Sequence, residues 1–295
     1  MSPRIVVGYT ATKRGRDAVA FGARLAAATG SVLDVVVVLP ATGRSVITPP
    51  DASYDRHLHD LAQQWLADAI GRVPDAVTAR PHVHAADSFA QGLIEFAHDR
   101  GADYLVVGAG GGGLRGRHRL GPTSTELLHS SDVPVVLVPR GARKLAADTA
   151  VTRLTVAVSP RPGDETLMSD AAALAFATGA PIRLLSLLPI DLPGPTGDAA
   201  RSPARPTEAD EVLAATNTSL PPGMAAEVVV ADGDSIEAAV AALDWQPGEL
   251  LLAGSGRLAQ PRRLFLGSTV AKMLHEVPVP VVVLPRAHHQ EGDGA

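Results

Sequence analysis

The sequence predicts two tandem α/β domains, each an open parallel sheet of five strands with helices on both faces, and three observations carry that prediction. Short valine-rich runs alternate with helical stretches along the 295 residues, the pattern of repeated strand–helix–strand crossovers. The segment VPVVLVPR at 133–140 returns as VPVVVLPR at 279–286, an offset of 146, and the pairs Gly108/Gly254 and Gly121/Gly267 keep the same offset. A hydrophobic content of 46% with only 3% aromatics suits small-residue helices packed on branched strands. The length is enough for two domains, each with its own core.

Ile5 to Tyr9 reads as a short apolar strand, followed by a polar turn from Thr10 to Gly15. A helix from about Asp17 to Thr29 ends at Gly30, a residue suited to a left-handed C-cap. Val32 to Leu39 is continuous enough to be a strand buried on both faces. A loop rich in Pro, Gly, Ser and Thr, 40–53, precedes an amphipathic helix whose Leu58, Leu61, Ala62, Trp65, Leu66 and Ala69 follow helical spacing. A third strand lies around Thr78 to His84 and a third helix from about Ser88 to Asp99. Leu105 to Val107 is the fourth strand. Gly121-Pro122-Thr123-Ser124 opens the fourth helix, with proline near the first turn, and Val133 to Val138 is the fifth strand.

The second half repeats the plan, its first strand headed by Arg153 as Arg4 heads the first. The expected boundaries are 1–141 and 153–287, with a short polar linker at 142–152 and a disordered tail at 288–295. The segment from Pro189 to Pro206 is expected to be a mobile surface loop. The fifth strands, Val133–Val138 and Val279–Leu284, are apolar and lie at sheet edges. Bare, they would invite aggregation, so they are expected to pair with each other across the two domains.

In an open parallel sheet, ligands bind beyond the carboxyl ends of the strands where the strand order reverses. With order 3-2-1-4-5 the reversal falls between strands one and four, so Thr10 and Gly108 flank the crevice. A glycine loop there can bend sharply or approach a ligand closely, and the helix start at Gly121 presents free amides. Such a place suits an anion, most often phosphate.

The spacing Gly108-x2-Gly111-x9-Gly121, placed after strand four in a duplicated chain, resembles the universal stress protein family. The resemblance covers essentially all of the chain as two tandem domains. It implies five-stranded α/β domains and, in the nucleotide-binding members, a Gly-x2-Gly-x9-Gly motif followed by Ser or Thr. In the first half Gly108, Gly111 and Gly121 match, with Pro122 in the Ser/Thr place and Thr123 and Ser124 next in line. In the second half Gly254, Gly267 and Ser268 match, and Arg257 replaces the middle glycine. The acidic residue that those members carry at the end of strand one is Thr10 in one half and Ser159 in the other. Arg115, Arg117, His118 and Arg119 fall inside the first loop, and Arg262 and Arg263 inside the second. Cations there can neutralise a polyphosphate.

What the resemblance implies is a stress-response module that binds an adenine nucleotide, foremost ATP in the first domain, as a regulatory ligand. The alternative is an interaction module whose pockets no longer bind nucleotide. Slow ATP hydrolysis is a third reading, without a water-activating residue or metal carboxylate in view. The chain lacks a Walker lysine, a nucleophile elbow and any nucleophile–base pair, so it is not read as an enzyme. His57/His59 and His82/His84 have no companion residues that would complete a metal site. A net charge of -5 and few aromatics argue against nucleic acid and anionic membranes as partners. Absence of cysteine, of a signal peptide and of a membrane-length apolar run points to the cytoplasm. Expected partners are the nucleotide, an unidentified protein, and the chain's own second half as an internal pseudo-dimer, with a further homodimer open.

Overall fold

The computed structural model describes residues 3–41, 52–110, 118, 120–158, 164–187, 220, 225–256 and 264–285. The first half alternates β1 (Arg4–Gly8), α1 (Lys13–Thr29), β2 (Val32–Pro40), α2 (Ala52–Ile70), β3 (Ala79–Ala86), α3 (Phe89–Asp99), β4 (Tyr104–Gly108), α4 (Pro122–Ser130) and β5 (Val135–Val138). The second half gives β6 (Leu154–Val158), α5 (Asp164–Thr178), β7 (Ile182–Ser186), β8 (Ala226–Val230), α6 (Ile236–Ala242), β9 (Leu250–Gly254), α7 (Ser268–Glu276) and β10 (Val281–Leu284). These strands form one ten-stranded sheet in the order β3-β2-β1-β4-β5-β10-β9-β6-β7-β8. Each half therefore has the order 3-2-1-4-5, parallel throughout, and the halves meet at an antiparallel β5–β10 ladder with Val136 opposite Val282.

That ladder explains why both fifth strands can be wholly apolar. All four residues of each are buried, and two edges that would otherwise be bare are paired. Alternate residues of the central strands feed two cores. Ile5, Val7, Val136 and Val282 pack on one face, and Val6, Leu105, Leu137 and Val283 on the other. Each face is continuous across the junction. Among the described residues no helix is long and apolar enough to cross a membrane.

Helix α1 starts at Lys13, four residues before the expected start. The Thr12 hydroxyl accepts from the Gly15 N–H at 3.2 Å, so the cap draws the polar KRGR segment into the first turn. Gly30 closes the helix at φ 66°, its N–H donating to Ala26 O, as the sequence leads one to expect. Asp17 is then an interior helix residue. It is buried and accepts from Gly141 N, Arg143 N and the Arg143 guanidinium, which fastens the 3-10 turn Ala142–Lys144 to α1. The segments 42–51 and 188–219, with the expected loop Pro189–Pro206, and the tail lie outside the described residues.

Two buried charge clusters sit among the strands. Asp34 in β2 is fully buried and accepts from Arg4 and His82, both at 2.8 Å. In the second half Glu249, also fully buried, accepts from Arg153 at 2.9 Å, Arg183 at 2.7 Å, the Thr155 hydroxyl and Gln246 N.

Candidate functional site

The reversal of strand order between β1 and β4 opens a crevice of about 860 Å³, within the usual size for a small-molecule site. Thr10, Gly108, Gly121, Thr123 and Ser124, singled out from the sequence, all line it. Gly111, Arg115, Arg117 and Arg119 lie outside the described residues. Three cations not singled out also line it: Lys13 and Arg14 from the start of α1, and Arg140 just past β5. Their signal was present in the KRGR turn and at the end of VPVVLVPR, but only the α1 cap and the strand order bring them to one place.

The glycines here differ in what requires them. A Cβ on Gly108 would lie 2.5 Å from the backbone oxygen of Arg14, so this glycine lets α1 cross close over β4. Gly15 is tighter still, since a Cβ would meet the Thr10 oxygen at 2.0 Å. Gly121 has nothing within 4 Å of that position, so its open side gives onto the crevice. Gly121 is also the N-cap of α4, with no side chain capping the helix. Pro122 occupies the first turn without an N–H to offer, so the amides of Thr123 and Ser124 are the first free donors. Thr10 and Thr12 face each other through their hydroxyls at 3.1 Å.

The matching place in the second half is built differently. Gly256 N donates to Phe265 O at 2.6 Å, and the Ser255 hydroxyl bonds both Phe265 N and Phe265 O. A Cβ on Gly256 would sit 2.8 Å from the Cα of Gly267. The chain's own backbone thus packs against the residue equivalent to Gly121. Gly254 has open space apart from Leu167 at 3.9 Å, and Ser268 begins α7. Arg257, Arg262, Arg263 and Ser159 lie outside the described residues.

His118 and Leu264, at matching places in the two halves, reach across the junction. His118, from the first loop, is 1% exposed and is set against the second half. Its N–H donates to Leu274 O at 3.1 Å and its Nε2 to Val279 O at 2.7 Å. Since a carbonyl only accepts, the neutral Nε2–H tautomer is the one present, and Nδ1 is buried without a partner. Burial holds the His118 pKa down, from 6.5 to about 4, with the Val279 hydrogen bond opposing. Leu264, at the same 146-residue offset, donates its N–H to Ser131 O at 2.8 Å, and Phe265 meets His129 edge-on at 5.0 Å.

Other histidines have structural partners: His82 bonds Asp34, and both His82 and His84 pack on Phe96. Among the described residues no group of three His, Cys, Asp or Glu could hold a metal ion. A separate cavity of about 310 Å³, mostly apolar, lies between the linker and the second half and shares only Arg140 with the crevice.

The fold and crevice define a tandem pair of open-sheet α/β domains with a switch-point site kept open in the first. The model of the universal stress protein family matches residues 1–139 and 151–285, and the chain belongs to that family. Universal stress proteins of Mycobacterium tuberculosis and Mycobacterium bovis are each 31% identical over 298 aligned positions, which cover 95% of this chain and 99% of theirs. Among solved structures, a universal stress protein from Archaeoglobus fulgidus superposes with TM-score 0.72 at 17% identity, covering 97% of this chain and all of that one. A functionally unknown protein from Pseudomonas aeruginosa gives TM-score 0.55 at 16% identity, covering 97% and 93%.

Proposed function

We propose that the protein is a stress-response module whose first domain binds an adenine nucleotide, foremost ATP, as a regulatory ligand and not as a substrate. The observation that carries this reading is the open crevice at Gly121, rimmed by Lys13, Arg14 and Arg140. Three cations around two free helix amides favour a polyphosphate over a monophosphate. The nucleotide would bias the loop between Gly108 and Gly121, and His118 would carry that bias to α7 and β10 of the second domain. A partner protein would read the change, and the setting we propose is the cytoplasm. In the second domain the packing of Gly256 on Gly267 favours the other reading, an interaction module without a nucleotide.

Isothermal titration with ATP, AMP and cyclic AMP tests this. The expected result is one ATP per chain, bound more tightly than AMP. No heat at millimolar ATP would sink the proposal, and two sites per chain would overturn the assignment to one domain. The sharpest variant is Gly121→Asp. Aspartate is a better N-cap than glycine by about a few tenths of a kcal/mol, and it places a negative charge where a phosphate would sit. Thermal stability is expected to hold or rise slightly while ATP binding falls at least tenfold. Retained affinity would remove α4 from the site.

A further inference from the structure

A second polar cavity, about 290 Å³, lies between α1, the end of α2 and the linker. It shares no lining residue with the crevice, although the two alternate along the chain: Tyr9 lies between Gly8 and Thr10, and Arg16 follows Gly15. Tyr9 is 1% exposed, and its hydroxyl is buried with no hydrogen-bond partner. The Nε of Arg16 is likewise buried and unpartnered. Arg24 is 7% exposed and gives one hydrogen bond, to Ala142 O at 3.0 Å, with no carboxylate in ion-pair range among the described residues. Arg72 and Arg143 complete the polar lining, but Asp68 and Asp17 already hold them, at 2.9 and 2.8 Å. Two carboxylates thus serve four arginines, in a protein of negative net charge.

Unmade hydrogen bonds on buried donors are unfavourable, and native structures retain them where something else supplies the acceptor. The two unpartnered groups here, the Tyr9 hydroxyl and Arg16 Nε, can both donate, and the Arg24 guanidinium lines the same cavity. An oxyanion meets all of them, because guanidinium forks pair with its oxygens and a phenol donates to the same atoms. Four arginines against two carboxylates leave an excess of positive charge that suits an anion. Val19, Ala20 and Ala23 form an apolar wall beside the donors, and the space exceeds that of a bare phosphate ion, so a small organic group fits as well. We infer that this cavity binds a small phosphate monoester, its phosphate held by the Tyr9 hydroxyl, Arg16 and Arg24.

The test is titration of the full chain with glycerol 3-phosphate, alone and with saturating ATP. One saturable site is expected in both conditions, unchanged by Gly121→Asp. Arg16→Gln should weaken binding at least tenfold and Tyr9→Phe several-fold. Without ligand, Tyr9→Phe should melt no lower than the parent protein, since the hydroxyl it removes has no partner. Loss of binding in ATP or in Gly121→Asp would put the phosphate in the crevice and overturn the inference. So would affinity unchanged by both Arg16→Gln and Tyr9→Phe, absence of saturable heat, or tighter binding of succinate than of glycerol 3-phosphate. Stabilisation matched by chloride at equal ionic strength would reduce the effect to screening and overturn it too.

Discussion

Replacing Glu249 with alanine is expected to cost about 3–5 kcal/mol of stability, a large part of the roughly 5–15 kcal/mol available to a domain. The carboxylate is fully buried and takes hydrogen bonds from Arg153, Arg183, Thr155 and Gln246. Its removal leaves two guanidinium groups buried beside each other. Arg183 has few alternatives, being 3% exposed, stacked 5.1 Å from the Trp245 ring and otherwise bonded to Thr155 and Asp244 O. Urea unfolding at pH 7 followed by circular dichroism would measure the loss. A loss under about 1 kcal/mol would show that water reaches the arginines and the cluster is not dry. The contrasting variant is Asp68→Asn, whose exposed pair with Arg72 lies at the C-terminal end of α2, and no measurable change is expected.

Acid is expected to weaken the protein through His118. The folded state holds the ring neutral down to about pH 4, while in the unfolded chain it protonates near 6.5. Between those values the unfolded state binds more protons, so stability rises with pH across the window. The contribution is complete above pH 6.5, declines as pH falls, and is exhausted below about pH 4. The interval corresponds to on the order of 3 kcal/mol for a fully buried group. His118→Gln keeps a donor for Val279 O and cannot take up the proton. The difference in unfolding free energy between the parent protein and His118→Gln should therefore shrink or reverse from pH 7 to pH 4. Parallel profiles for the two proteins would refute the assignment.

The order of elements and the duplication were legible because valine-rich periodicity and a 146-residue repeat encode them directly. The β5–β10 pairing followed from two apolar edges that need cover, and the strand order was an assumption that the sheet bears out. The start of α1 was displaced because a threonine cap three residues upstream of Gly15 outweighs the polar look of the KRGR turn. The crevice was legible in part. Thr10, Gly108, Gly121, Thr123 and Ser124 do meet, but the spacing cannot tell that Gly108 clears the backbone of Arg14 while Gly121 faces open space. That distinction depends on how closely one helix crosses one strand, which is a tertiary fact. The charge clusters left a quieter signal, a lone Asp34 in VLDVVVV and a lone Arg183 in IRLLS. Each is a charge inside a strand that reads as buried on both faces, and such a charge calls for a buried partner.

The reciprocal crossing by His118 and Leu264 has a consequence that only a joined chain can have. In a dimer of identical halves, both crossings would carry the same residue, and any condition that loosened one would loosen the other. Here one crossing ends in His118 and its counterpart in Leu264. The residue that reaches across is a buried imidazole in one and an apolar side chain in the other. Fusion has thus let the two crossings diverge: the first domain reaches the second through the imidazole, and the second reaches back through the apolar side chain.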